Sequence, residues 1–409
     1  MVKSNSNDDV SVWCIVSLAS IPLVMTLGNS MFIPVLPILE RKVDISSFQS
    51  SMIITSYSVA AIFLIPVAGY LSDRFGRKMV ILPSLVLALL GGLLSGFASW
   101  KIDDPYMWII FGRVLQGIGA AGAMPIVLPL VGDLYKDDDE KTSSCLGIIE
   151  TSNTFGKVLA PIVGSAIAAF LWFLPFFAIS VLSLISIALI FFFVKVPKEK
   201  DEPKVLKEFL KNTSNTFKKH WKWLLTVFLL GAFVMLLLFG VLFFLSEVLE
   251  KEHDIKGVKK GFVIAIPLLV LCTASFITGR LIKGRLPLMK KLMIISLIIQ
   301  SGSVVFTGFV KESIILLLVV SSVMGLAIGA MLPVLDAVIT ENIEKEERGT
   351  ISSFYSSARF AGVAAGPPII SLLMKDYINA GYIGAGVLGL LMLFIVFRFF
   401  KAEEIEAKH

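Results

Sequence analysis

The 409-residue chain is 56% apolar and 17% charged, whereas soluble domains are about 45–50% apolar, so it is read as an integral membrane protein. Its net charge of +6 does not point to nucleic acid, because the lysines and arginines cluster in short segments beside apolar runs, where membrane topology explains them. Cys14, Cys145 and Cys272 lie in apolar runs without paired spacing or a nearby histidine, so no disulfide or zinc framework is implied.

In chain order, runs long enough for a bilayer helix of about 20 apolar residues fall near 12–39, 48–72, 78–99, 105–133, 143–170 and 173–195, then 223–249, 258–282, 287–309, 312–340, 350–374 and 378–400. The pattern predicts an all-α membrane protein with a first six-helix bundle over 1–195, a linker at 196–222 and a second bundle over 223–409. The leading MVKSNSNDDV is polar and precedes no cleavage site, so the first run is read as a retained helix. The linker carries Lys198, Lys200, Lys204, Lys207, Lys211, Lys218, Lys219 and Lys222. Leu206, Phe209, Leu210 and Phe217 recur there at helical spacing, as in a helix lying on an anionic leaflet; a solvated tether is the equal alternative. Of 37 Lys and Arg, 25 lie on the side of the termini and linker and nine on the other, so both termini and the linker are expected in the cytoplasm.

The two halves resemble each other. Gly-Ala-Met at 122–124 recurs at 329–331, Lys141 corresponds to Arg348, and Gly156-x-x-x-Ala160-Pro161 corresponds to Gly362-x-x-x-Gly366-Pro367. Two repeats related by an axis along the membrane normal leave a cleft near the midplane, where transporter substrates bind.

Between the second and third runs stands GYLSDRFGRK, residues 69–78. Its glycines permit a tight turn and close helix approach. Orientation explains Arg74, Arg77 and Lys78 but not Asp73, since acids contribute little to the positive-inside rule. The pattern Gly69-x-Leu71-x-Asp73-Arg74-x-Gly76-Arg77-Lys78 resembles the loop 2–3 signature of the major facilitator superfamily. The resemblance covers essentially the whole chain and implies the major facilitator fold, two six-helix bundles with pseudo-two-fold symmetry. It also implies a gating latch, with Asp73 facing the start of the eleventh helix at Gly349–Thr350 and Arg77 paired with Asp133, made when the cytoplasmic side closes. The corresponding second-half loop, Gly279 to Arg285, has Lys283 where the first has Asp73, so a single latch is expected.

The fourth run carries Arg113-Val-Leu-Gln116-Gly117-Ile-Gly119-Ala-Ala-Gly122, which resembles the signature of proton-coupled members and implies that Arg113 sets the proton affinity of a nearby carboxylate. A snorkelling arginine is the bland alternative. The small residues after it would let this helix approach its neighbours closely. In the fifth run, Gly156-Lys-Val-Leu-Ala160-Pro161-Ile-Val-Gly164 resembles the signature of proton antiporters, with Ala160 in place of one glycine. The first run reads Gly28-Asn29-Ser30-Met31-Phe32-Ile33-Pro34-Val35-Leu36-Pro37 and resembles the first helix of drug exporters, but holds no acid before Glu40.

Charges inside the spans are the sharpest pointers to chemistry, because each costs about 2.5 kcal/mol or more at mid-bilayer and must face another charge, water or cargo. Besides Arg113, those singled out are Glu150, Lys157, Asp336 and Arg359. Glu150 and Asp336 are assigned proton coupling with Arg113. The substrate cleft is assigned to Asn29, Met31, Phe32, Gln116, Asn153, Lys157, Phe354, Tyr355 and Arg359.

These readings and the resemblance converge on a proton-coupled exporter of small amphipathic or drug-like molecules, of the drug:proton antiporter (multidrug exporter) branch of the superfamily, a monomer in the bacterial cell membrane with no cofactor and no metal. Its partners are the cargo, protons and the bilayer. The three bases among the predicted cleft residues keep open an anionic or zwitterionic cargo such as a siderophore, pigment or metal complex. Import by the same fold is a further alternative. No nucleophile or ligand constellation supports an enzyme, and no His or Cys pair in the spans supports free-metal transport.

Overall fold

The computed structural model describes residues 12–135, 139–195, 206–282, 284–310, 312–374 and 377–401. Lys198, Lys200, Lys204 and Lys283 lie outside the described residues, as do the side chains of Lys207, Lys211, Leu206, Phe209 and Leu210.

Among the described residues there are twelve helical rods. The first six are α1 (Val12–Val43), α2 (Ser47–Phe75), α3 (Arg77–Lys101), α4 (Tyr106–Leu134), α5 (Asp139–Phe170) and α6 (Leu174–Phe193). The second six are α7 (Leu206–Lys251), α8 (Gly257–Leu281), α9 (Leu286–Thr307), α10 (Ile314–Asn342), α11 (Lys345–Leu373) and α12 (Ile378–Phe399). Eleven of them are long and apolar enough to cross a membrane. The exception, α11, opens with Lys345-Glu-Glu-Arg348 and carries Arg359; it packs between α2 and α7, so lipid does not have to solvate it. We call the face where α6 ends and α7 begins the linker face, and the opposite one the far face.

Local chemistry sets the element ends. Ser46 and Gln49 form a reciprocal capping box at the start of α2. Gly76 turns the chain into α3 at φ +97°, a conformation glycine adopts without penalty. Prolines break two rods: α1 passes through a tight turn at Ile33–Val35, which contains Pro34 and is followed by Pro37, and α4 breaks between Ala123 and Val127, at Pro125.

The linker differs from expectation. From Leu206 it is helical and continuous with the seventh span, giving a rod of 46 residues, about 69 Å at 1.5 Å per residue. Its described part packs on the second bundle instead of lying free: Phe217 stacks edge-on against Phe228 and Phe354, Thr216 binds Glu347, and Lys219 lies 3.5 Å from Glu344.

Small residues draw the rods together, as the sequence suggested for α4. Gly112 and Gly119 face the α3 backbone, and Gly117 faces the carbonyl of Tyr57 on α2. The repeat recurs in packing. Gly156 and Gly164 of α5 sit against α1 at Thr26 and Met31, while Gly362 and Gly366 of α11 sit against α7 at Ala232 and Leu236. The halves meet where α2 packs on α11 and α5 on α8.

Candidate transport site

On the linker-face side, α5, α8 and α10 enclose a cavity of about 370 Å³, lined among others by Glu150, Lys157, Ser275, Asp336 and Thr340. This lies within the roughly 300–1,000 Å³ of small-molecule sites. Lys157 also borders a water-sized pocket deeper in, beside Ser30, Pro161 and Phe239.

Three intramembrane charges, Glu150, Lys157 and Asp336, line this cavity, and a fourth, Arg359, is paired with one of them. Arg359 reaches Asp336 across α11 and α10 at 3.3 Å and lies over the Tyr355 ring at 5.6 Å. Glu150 accepts from Asn153 Nδ2 at 3.3 Å and from Thr154 Oγ1 at 3.4 Å. Lys157 feels Glu150, Arg359 and Asp336, but among the described residues no carboxylate stands within ion-pair distance of it. An acid and a base are thus tied to partners on the second-half wall, while on the first-half wall a base is left available to a ligand.

Other predicted cleft residues sit elsewhere. Met31 and Phe32 are wholly buried, Phe32 against Phe176. Asn29 and Gln116 bind Arg113 at 3.0 and 2.6 Å, and that guanidinium also donates to the carbonyls of Gly28 and Ile53, both at 2.8 Å. It is flanked by the Phe32 and Tyr57 rings. Every hydrogen bond shown for Arg113 goes to a neutral group, so in this conformation it ties α1, α2 and α4 together and adjoins no carboxylate among the described residues. Asn153 also accepts from Thr26 at 2.6 Å, linking α5 to α1. Tyr355 is buried beside Asp336, and Phe354 packs on Phe217.

The loop 2–3 charges are arranged within the first half. Arg77 pairs with Asp73 and, at 3.0 Å, with Asp133. The helix start expected at Gly349–Thr350 lies one turn earlier, at Lys345, and nothing stands within 4 Å of the position a Cβ would take at Gly349. Gly69 does meet the second half, against Ser353. Arg74 is exposed and bonds Tyr70 at 3.2 Å. Lys78 donates to the carbonyls of Phe191 at 3.1 Å and Val194 at 2.7 Å, capping the end of α6, where a cation complements the helix dipole. In α5, Ala160 is fully buried, and the Pro161 carbonyl lies against Gly261 of α8, so the antiporter-like segment borders the junction between halves.

The far face holds a cluster that the sequence analysis did not single out. Lys251 at the end of α7 binds Glu247 and, at 3.1 Å, Glu40 of α1; Glu250 binds Arg41 of α1 and Lys260 of α8. Nearby, Ser246 donates to the Ile33 carbonyl at 2.8 Å. The signal was present: Glu247 falls inside the predicted seventh span, one turn before Lys251, where an ionised group needs a partner.

The profile of the Major Facilitator Superfamily matches residues 18–289 and 288–409. The chain belongs to the major facilitator superfamily. It is therefore a membrane-spanning transporter of small molecules and not an enzyme. The bacillibactin exporter of Bacillus subtilis is 50% identical over 395 residues, covering 96% of this chain and 97% of that protein. Multidrug resistance protein 2 of the same organism is 25% identical, with 94% of each covered. Among solved structures, the human organic anion transporter MFSD10 superposes with a TM-score of 0.74 at 18% identity, covering 94% of this chain and 99% of that one. That likeness shows the shared fold.

Proposed function

We propose that the protein exports an anionic siderophore of the bacillibactin type, with outward movement of cargo coupled to inward movement of protons. The similarity to the bacillibactin exporter over nearly the full length of both chains carries this reading. The drug-like cargo first expected from the sequence is supported only by relatives near 25% identity, so the anionic alternative takes precedence.

The cavity supports it chemically. Lys157 offers an ammonium without a direct ion pair, and Ser275, Thr154 and Thr340 border the same space, a mixture suited to an acidic, oxygen-rich cargo. Glu150 and Asp336 are the carboxylates positioned to exchange a proton as cargo enters or leaves. Positive charge concentrated on the linker face assigns that face to the cytoplasm, so the cavity takes cargo from inside while the far face is closed. Export then requires the two bundles to rock about the midplane.

Deleting the gene in its host under iron limitation, and measuring siderophore inside and outside the cells, tests this. Secretion should fall and intracellular siderophore rise, both restored by the intact gene but not by Lys157→Gln. Unchanged secretion, with loss of resistance to lipophilic drugs instead, would return the reading to a drug exporter.

A further inference from the structure

The transport site leaves Glu247 unused, yet it is a buried carboxylate on the far face. Its side chain is 1% exposed, and Oε1 has no hydrogen-bond donor. Oε2 meets Lys251 one turn along, and the same ammonium binds Glu40 Oε2 at 3.1 Å. Glu40 belongs to α1 and is held by Ser50 at 2.7 Å and Ser47 at 3.0 Å from α2. Two carboxylates from opposite halves therefore face each other over a single lysine.

The other charges packed around them are already committed. Glu250, 1% exposed, is shared by Arg41 of α1 and the wholly buried Lys260 of α8. In the turn between α7 and α8, Asp254 pairs with Lys256. The six groups balance in charge, but unevenly: Glu250 takes two bases, while Glu40 and Glu247 share the one ammonium of Lys251 and neither Arg41 nor Lys260 is paired with them, and Glu247 is shielded from solvent. Two like charges in such a place are relieved by a proton.

We propose that Glu247 and Glu40 form a proton-binding site that is complete only when the far face is closed. The proton resides on Glu247, whose hydroxyl donates to the Glu40 carboxylate, and Lys251 neutralises the remaining charge. Opening the far face carries Glu40 away with α1 and α2, hydrates both acids and returns the proton to water. Lys251 and Arg41, about half exposed, border the site and give the proton its path from the far side. A ligand bound by one conformation favours that conformation, so acid on the far side drives the far face shut and resets the carrier with its cavity towards the linker face. This step needs no cargo and goes beyond the assignment of siderophore export.

The test uses the full chain in lipid nanodiscs without cargo. Spin labels are placed at Phe48→Cys and Val258→Cys, exposed far-face positions on opposite halves, with Cys14, Cys145 and Cys272 replaced by Ser. His253→Gln is included because histidine titrates in the same range. From pH 8 to pH 5 the long-distance population should shrink several-fold. Glu247→Gln, which keeps a donor towards Glu40, should show the short distance at pH 8 and no response to pH. A distribution unaffected by pH, an opening at low pH, or a Glu247→Gln protein that titrates like its parent would each overturn the proposal. The parent titration leaves both acids intact, so misfolding of a variant cannot mask the result.

Discussion

The two faces of the molecule hold their charges in opposite ways. On the far face, ion pairs cross between the halves: Lys251 to Glu40 and Arg41 to Glu250, around the buried Lys260. On the linker face they stay within one half, Arg77 with Asp73 and Asp133 in the first, Lys219 with Glu344 in the second. There the halves touch through small groups such as Gly69 and Ser353. Of the ion pairs named here, parting the linker face therefore breaks none between halves, whereas parting the far face breaks two. The difference identifies the conformation as closed on the far side, with the ion pairs of Arg77 confined to the first half.

The strongest way to break this contrast is Glu250→Gln, which leaves Lys260 buried beside a neutral group. Removing one member of a buried pair costs about 3–5 kcal/mol, so the melting temperature should fall by several degrees and a cysteine at Val258 should label faster. Adding Lys260→Gln should recover much of the loss, as measured by the same melting curves.

Next in size are changes at the cavity. Hydrogen bonds to charged groups contribute about 1.5–3 kcal/mol, so Lys157→Gln should weaken cargo binding about tenfold or more, measured by tryptophan quenching or calorimetry. Arg359→Gln should reduce binding and transport together, because it also strands Asp336; Arg359→Gln with Asp336→Asn should bind better than Arg359→Gln alone.

Smaller effects belong to loop 2–3. Gly76→Ala should destabilise by about 1–2 kcal/mol, since φ +97° is strained for a residue with a Cβ. Asp73→Asn should change stability least, within about 1 kcal/mol for a partly exposed pair, yet slow transport if the latch forms only in the opposite conformation. Equal turnover by Asp73→Asn and the parent would show that the latch is dispensable.

Much of this was legible in the sequence. The rods announced themselves through apolar length, the repeat through Gly156 and Gly362, and the meeting of Glu150, Lys157, Asp336 and Arg359 through the expense of unpaired charge in a membrane. Arg113 shows the limit: spacing placed it inside the fourth span, but only the packing of α1 and α2 around it reveals that carbonyls and amides satisfy it. Phe32, Asn29 and Gln116 were drawn into the cleft by type and depth, although helical phase turns them into the bundle. The far-face cluster escaped because Lys251 and Lys260 count as loop bases in a topology tally, and their carboxylate partners come from segments 10 and some 210 residues away. The start of α11 was misplaced because the run Lys345-Glu-Glu-Arg348 looks like a loop, while its helix is stabilised by α2 and α7.

The most direct measurement of the central claim is uptake of bacillibactin into inside-out membrane vesicles with an acidic interior. The account predicts accumulation only while the interior is acidic, loss of interior protons as cargo enters, and failure of both with Lys157→Gln. Absence of accumulation, or protons entering together with the siderophore, would contradict it.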